Sequence, residues 1–340
     1  MKRIGINGFG RIGRCVFRNL WERGNAECVY INDPNMTIDN LIYLLKYDSV
    51  YGRFEGKVKK VGENAIQIFS ENKVWNITVG TFKELYKFFA AQTEIDILVD
   101  ATGNGLCAQQ SWDYVEKGLK NVIVTNTFYE ADFTYIGGYN DNELDSKKHK
   151  VISTSICDAN ATVPLLSKLL SYIGVEFCFV TTLHPWLSYQ NLMDAPVKMQ
   201  KQPSQSMEYF PLGRSSVNTL IPKTTTLGTV LKYVFPELEH KLSFVSFRTP
   251  TQMVASAEMS LVLSRAVNKR EIIEVLQQCY QRIISLNKED IISIDCEKQP
   301  YSSIVDLRWI DVVDRYLKLI TWYDNEWGYC SRVIDLIEKL

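Results

Sequence analysis

Position 157 holds a cysteine within VISTSICDANATVP, residues 151–164, between a β-branched run and a Leu-rich one. The first run predicts a buried strand over 151–155 and the second a helix over 162–170, so Cys157 falls where strand gives way to helix. Unpaired N–H groups and the positive dipole end of a helix N-terminus favour the thiolate, the nucleophilic form of the side chain. Taken alone, a cysteine in such a stretch is more often a packed small hydrophobe. A second pattern lies at the start of the chain, where Gly8, Gly10 and Gly13 form GxGxxG directly after the strand-like KRIGIN of residues 2–7. Strand, glycines, helix and a second strand (27–31) leading to Asp33 arrive in the order a dinucleotide fold requires. Gly8 would permit the tight turn, Gly10 the approach of a pyrophosphate, and Gly13 close helix–strand packing. Asp33 would accept hydrogen bonds from ribose hydroxyls and repel a 2′-phosphate, which predicts NAD rather than NADP. The alternative is a glycine turn beside a surface aspartate.

These residues need elements to position them. Helix is expected over 38–46, a polar hairpin-like region over 52–79, and strands over 95–100, 121–125 and 151–155. The first of those strands is followed by Ala101, Thr102 and Gly103, small enough for close approach to a cofactor. Alternating strands and helices predict a doubly wound, Rossmann-type parallel sheet over residues 1–156, with ligands at the carboxyl ends of its strands. Beyond Cys157 the texture changes. Strands are expected at 176–182, 242–247, 252–263, 303–306 and 317–322, with helices to about Tyr172 and over 269–284. This predicts an α+β catalytic domain, 157–325, with a mostly antiparallel sheet. A last helix, 326–340, would pack back on the first domain, and 191–218 reads as a long polar loop of the kind that carries function or interfaces.

At 340 residues the chain accommodates two domains, and its net charge of -1 gives no general pull towards nucleic acid or membrane. No apolar run reaches transmembrane length and no signal peptide is evident, so a cytoplasmic protein is expected. The eight cysteines contain no C-x-x-C pair and the three histidines, at 149, 184 and 240, show no zinc spacing; neither disulfides nor a metal are expected.

The pieces INGFGRIGR (6–14), IND (31–33), LLKYDSVYGRF (44–54), ATG (101–103), Cys157 with Asn160 and Pro164, TTLH (181–184), FRTPT (247–251) and WYDNEWGY (322–329) together resemble the glyceraldehyde-3-phosphate dehydrogenase family. The resemblance spans nearly the whole chain. It implies an NAD-dependent oxidation in which Cys157 attacks an aldehyde, hydride leaves the thiohemiacetal, and a thioester is then resolved. His184 would be the base, Asn325 would hold the nicotinamide carboxamide, and Tyr329 would pack near the ring. Gly8, Gly10, Arg11, Ile12, Gly13, Asp33, Thr102, Gly103 and Thr125 would complete the cofactor site. Thr225, Thr226 and Arg248 would bind phosphate, and a homotetramer is implied.

Departures from the family pattern bear on substrate. Ile156, Asp158 and Ala159 replace one serine and two threonines around the cysteine, and Leu187 and Tyr189 replace two threonines after the histidine. Hydroxyl donors are lost, while a new carboxylate adjoins the thiol, where it would raise the thiol pKa and oppose phosphate. Three functions fit: oxidation of an altered aldehyde with the thioester passing to water, which has some likeness to erythrose-4-phosphate dehydrogenase; ordinary phosphorylating glyceraldehyde-3-phosphate dehydrogenase; and non-catalytic NAD binding. The presence of Cys157, His184, Arg248 and Asn325 together argues against the last, because stability does not require all four.

Overall fold

Short β-branched runs alternating with amphipathic helices build the amino-terminal half. β1 (Lys2–Asn7), α1 (Arg11–Arg23) and β2 (Ala26–Asn32) form a parallel βαβ unit. α1 buries Val16, Phe17, Leu20 and Trp21, and the last two aromatic rings of that set and Trp75 meet edge to face. The helix stops at Gly24, whose φ of 74° suits a left-handed cap. Next come α2 (Ile38–Lys46), capped by the Thr37 side chain, and a small ribbon of β3 (Tyr47–Asp48) and β4 (Gly52–Arg53). β5 (Lys57–Lys60), β6 (Ala65–Phe69) and β7 (Val74–Gly80) follow, then α3 (Leu85–Phe88), β8 (Ile97–Asp100), α4 (Gly105–Gln109), α5 (Ser111–Glu116), β9 (Asn121–Val124), β10 (Phe133–Thr134) and β11 (Val151–Ser153).

The computed structural model describes residues 1–88, 94–197 and 209–340. Among them the first sheet runs β10-β11-β9-β8-β1-β2-β7-β6-β5. Pairing is parallel from β10 to β7 and antiparallel through β6 and β5, so the polar hairpin-like region extends the parallel sheet with an antiparallel edge. This unit comprises Met1–Tyr135, Asn142–Thr154 and Cys330–Leu340.

The second unit, Ile136–Asp141 with Ser155–Tyr329, begins its long run with α6 (Cys157–Tyr172). Then come β12 (Val175–Pro185), β13 (Ile221–Lys223), α7 (Leu227–Val234), β14 (Leu242–Thr249), β15 (Ala255–Leu263), α8 (Lys269–Leu276), β16 (Ile284–Asn287), β17 (Ser303–Asp306), β18 (Asp311–Val313) and β19 (Tyr316–Tyr323). The sheet order is β13-β14-β12-β15-β19-β17-β16, largely antiparallel, with parallel pairs at β12/β14 and β16/β17. One face carries the core: Val180, Ala257, Met259 and Leu319 cluster with Leu165, Leu166 and Leu169 of α6, Leu231 of α7 and Ile272 of α8. Opposite residues of β12, including Phe177, Phe179 and Leu183, are exposed.

The helix expected over 269–284 ends at Leu276. Ile284 instead starts a strand paired with Ser303, because a short Ile-rich run can fill either element and the sheet edge takes it here. α9 (Trp327–Lys339) starts in the second unit and from Cys330 onward belongs to the first, where Asp335 receives Arg23 at 2.5 Å.

Candidate active site

Cys157 is the first residue of α6, reached through Ser155, whose φ of 56° turns the chain after β11. β12 carries His184, and the sheet register brings further charged groups to it. His184 pairs with Arg248, Arg248 with Ile221, and both Thr182 and Lys223 with Ser246. Side chains alternate across a strand, so Thr182, His184, Ser246, Arg248 and Lys223 share one face. The Thr182 hydroxyl donating to Ser246 at 2.9 Å marks that face.

Cys157 Sγ lies 3.5 Å from His184 Nε2 and 3.4 Å from Asp158 Oδ1. His184 Nδ1 is 2.8 Å from the Pro185 carbonyl. A carbonyl only accepts, so Nδ1 carries the proton and Nε2 faces the thiol as an acceptor. Tyr323, from β19, donates its hydroxyl to Asp158 Oδ1 at 2.9 Å. Burial, and then Arg248, push the His184 pKa down to about 4, so the imidazole is neutral throughout the physiological range. Burial and then the Asp158 carboxylate push the Cys157 thiol well up, with Arg248 opposing.

The ready-made thiolate expected of a helix N-terminus is therefore corrected: desolvation and an adjacent anion outweigh the helix end, as the charge on Asp158 foreshadows. Iodoacetamide should accordingly alkylate Cys157 at a rate climbing about tenfold per pH unit through pH 9. A plateau between pH 5 and 8 would instead reveal a thiolate–imidazolium pair. Six of the eight cysteines are buried, so Cys107 is the other thiol to monitor by peptide mapping.

Arg248 is 6% exposed, yet its guanidinium makes no hydrogen bond or ion pair with any described residue, and its buried Nε has no partner among them. Lys223 is half-buried and its ammonium likewise has no hydrogen bond or ion pair among the described residues; burial and Arg248 lower its pKa to about 8. Two unpaired cations facing one carboxylate leave a site suited to an anion. Thr225 and Thr226 lie before α7, where the Thr225 hydroxyl accepts from Leu227 N at 3.2 Å. The backbone N–H of Leu187 is occupied by Gln190 Oε1 at 2.9 Å. In the loop, the Asn191 side chain donates to the Ala195, Pro196 and Gly213 carbonyls; its centre, 198–208, lies outside the described residues.

Sulfur, carboxylate and imidazole ligand atoms of Cys157, Asp158 and His184 all lie within 4.8 Å of one another, a set of metal-ligand type that the sequence spacing hid. Arg248 and Lys223 oppose a dication there. Sequence reasoning missed Lys223 and Tyr323. A lysine inside the otherwise apolar Leu220–Lys223 run was the available signal for the first.

The first unit holds the nucleotide cradle. A Cβ on Gly13 would sit 2.0 Å from the Gly8 carbonyl oxygen, and Gly8, at φ 89°, has no room beside Ala101. Nothing lies within 4 Å of the Gly10 Cβ direction, the open approach that a pyrophosphate needs. Asp33 follows β2; its Oδ2 accepts from Phe9 N at 2.8 Å and its Oδ1 from Asn35 N at 2.9 Å, which fixes the carboxylate while leaving lone pairs on both oxygens. Arg11 Nη1 reaches Asp48 Oδ2 at 2.7 Å, so Arg11 and Ile12 would serve the cofactor through the α1 backbone. Thr102 bonds Asp100 Oδ1, Thr125 Oγ1 bonds the Asp100 carbonyl, and burial raises the Asp100 pKa to about 6. Gly103 has a φ of 63°.

In the second unit the Tyr329 hydroxyl donates to the Ser155 carbonyl, and Asp324 is structural, accepting from Glu326 N and Trp327 N at the start of α9. Asn325 Oδ1 is buried without a hydrogen-bond partner among the described residues. The glycine loop and Asp33 of the first unit fit NAD. Calorimetry should show NADP at least about tenfold weaker than NAD, the worth of one charge-assisted hydrogen bond; equal affinities would remove Asp33 from the site.

Family comparisons agree with this construction. Residues 2–107 match the model of the NAD binding domain of glyceraldehyde 3-phosphate dehydrogenase, and residues 156–325 match its C-terminal domain. Glyceraldehyde-3-phosphate dehydrogenase B of Aspergillus oryzae is 32% identical, over 98% of this chain and 96% of its own. Glyceraldehyde-3-phosphate dehydrogenase 2 of Bacillus subtilis is 31% identical, over 99% and 96%. Two domain models matched in order, with 31–32% identity over nearly the whole chain, make it a member of the glyceraldehyde-3-phosphate dehydrogenase family, an NAD-binding oxidoreductase.

Proposed function

We propose that the protein oxidises an aldehyde carrying an anionic group, such as a sugar phosphate, through a Cys157 thioester that passes to water. The observation that carries this reading is the Cys157–His184 contact beside the unpaired Arg248. Neutral His184 accepts the thiol proton at Nε2 as Sγ attacks the carbonyl carbon, and the resulting imidazolium steadies the developing alkoxide. NAD, when bound, supplies the two-electron acceptor that turns the thiohemiacetal into a thioester. Asn325 would hold its carboxamide, and the Gly8–Gly13 loop and Asp33 the rest. Arg248, with Thr225, Thr226 and Lys223 close by, would hold the substrate's anion. Loss of donors at Ile156, Ala159 and Leu187, with a carboxylate at Asp158, weakens a second anion position and favours water as the acyl acceptor.

Ordinary phosphorolysis is the second reading, favoured by the additional cation at Lys223. NADH formation across a phosphate titration, with products identified by mass spectrometry, separates the two. Free acid formed at a phosphate-independent rate is expected; saturable phosphate dependence with an acyl phosphate would establish phosphorolysis. A homotetramer in the cytoplasm belongs to the same reading, and the exposed Phe177, Phe179 and Leu183 supply an apolar face for assembly.

A further inference from the structure

We propose that Asp158 is the general base that activates the water resolving the Cys157 thioester, an inference that rests on the thioester reading above. The carboxylate is 4% exposed and adjoins the nucleophile. Both of its hydrogen bonds end on one oxygen: Oδ1 receives the Cys157 thiol at 3.4 Å and the Tyr323 hydroxyl at 2.9 Å. Oδ2 has no partner among the described residues, so one carboxylate oxygen is anchored and the other is available to a small donor. Once Sγ is acylated it has no proton to give, and Tyr323 alone holds Oδ1. The acyl carbon, one bond from Sγ, is then within a water's reach of this carboxylate.

The step balances without a further reagent. Water oxygen bonds to the acyl carbon while Asp158 takes one of its protons; the C–S bond breaks and its electron pair returns to sulfur. The proton on Asp158 Oδ2 then passes to the thiolate through the solvent that replaces the departing acid, restoring the resting thiol beside Oδ1. His184 is spared for acylation, where its Nε2 faces the thiol. Lys223 lies within electrostatic reach of both Asp158 and Cys157, and Arg248 within reach of Cys157, so both offset the carboxylate's charge beside the sulfur.

Rapid-mixing kinetics on the full-length protein test this, with the anionic aldehyde that gives the highest wild-type turnover. Asp158→Asn should retain a burst of one NADH per active site, accumulate acyl-Cys157 visible by intact-mass spectrometry, and lose about 10²–10⁴-fold in steady-state rate. Hydroxylamine, a nucleophile that needs no base, should restore its turnover and yield hydroxamate. Tyr323→Phe, which keeps the carboxylate but frees its anchored oxygen, should slow deacylation about tenfold or more, the lower end of the worth of one hydrogen bond to a charged group. Equal losses of burst and steady state in Asp158→Asn, or an unchanged steady state, would overturn the role of Asp158. Absence of any acyl-Cys157 in the wild type under the same conditions would instead overturn the thioester reading.

Discussion

Cys157→Ser should reduce NADH formation to background while leaving NAD affinity within about twofold, as expected for a change in the second unit when the glycine loop and Asp33 belong to the first. The serine hydroxyl keeps the shape of the site, yet its much higher pKa puts its proton beyond an imidazole whose own pKa is about 4. His184→Asn should slow acylation by about 10²–10⁴-fold, the usual worth of a positioned proton acceptor, and the burst phase rather than the steady state measures it. Full activity in the serine variant would assign the chain to the non-catalytic NAD binders.

The nucleotide cradle was legible because its requirements are local. Gly8 and Gly13 are glycines for contacts made within the same βαβ turn, and Asp33 follows the strand that the turn feeds. Cys157 and His184 could be named only through their motifs, since one sits on α6 and the other at the end of β12. What resisted reading depends on register between distant strands. Lys223 shares a face with His184 only because β13 pairs with β14 and β14 with β12. Tyr323 meets Asp158 from 165 residues away. Nothing in the local pattern marks Tyr323, and for Lys223 the one signal is a lysine in an otherwise apolar run. The electrostatics of the thiol were half legible: Asp158 is visible beside Cys157, whereas the burial that dominates the shift belongs to the packed fold. The error at 277–284 has a similar origin, because Ile283 and Ile284 fit a helix period until the edge offered by β17 claims them.

Arg248→Met should lower kcat/KM for an anionic aldehyde by about 10²–10⁴-fold, the worth of two charge-assisted hydrogen bonds at roughly 1.5–3 kcal/mol each. Its effect on a neutral aldehyde of similar size should be small, because the guanidinium has no hydrogen bond or ion pair with any described residue to lose. Removing a buried cation that is already unpaired relieves a desolvation cost, so the variant should also melt at the wild-type temperature or above it. Lys223→Met should act in the same direction but less strongly, since an ammonium is a single point donor where a guanidinium is a fork. Because burial and then Arg248 lower the Lys223 pKa to about 8, with Asp158 and Cys157 opposing, the ammonium is present below that pH and lost above it. Affinity for the anionic substrate should therefore fall as pH rises through 8 in the wild type, and that fall should vanish in Lys223→Met. Steady-state KM measured from pH 6.5 to 9 with matched anionic and neutral aldehydes decides the matter; equal losses on both substrates would mean that Arg248 and Lys223 support the fold of the site rather than hold the substrate's charge.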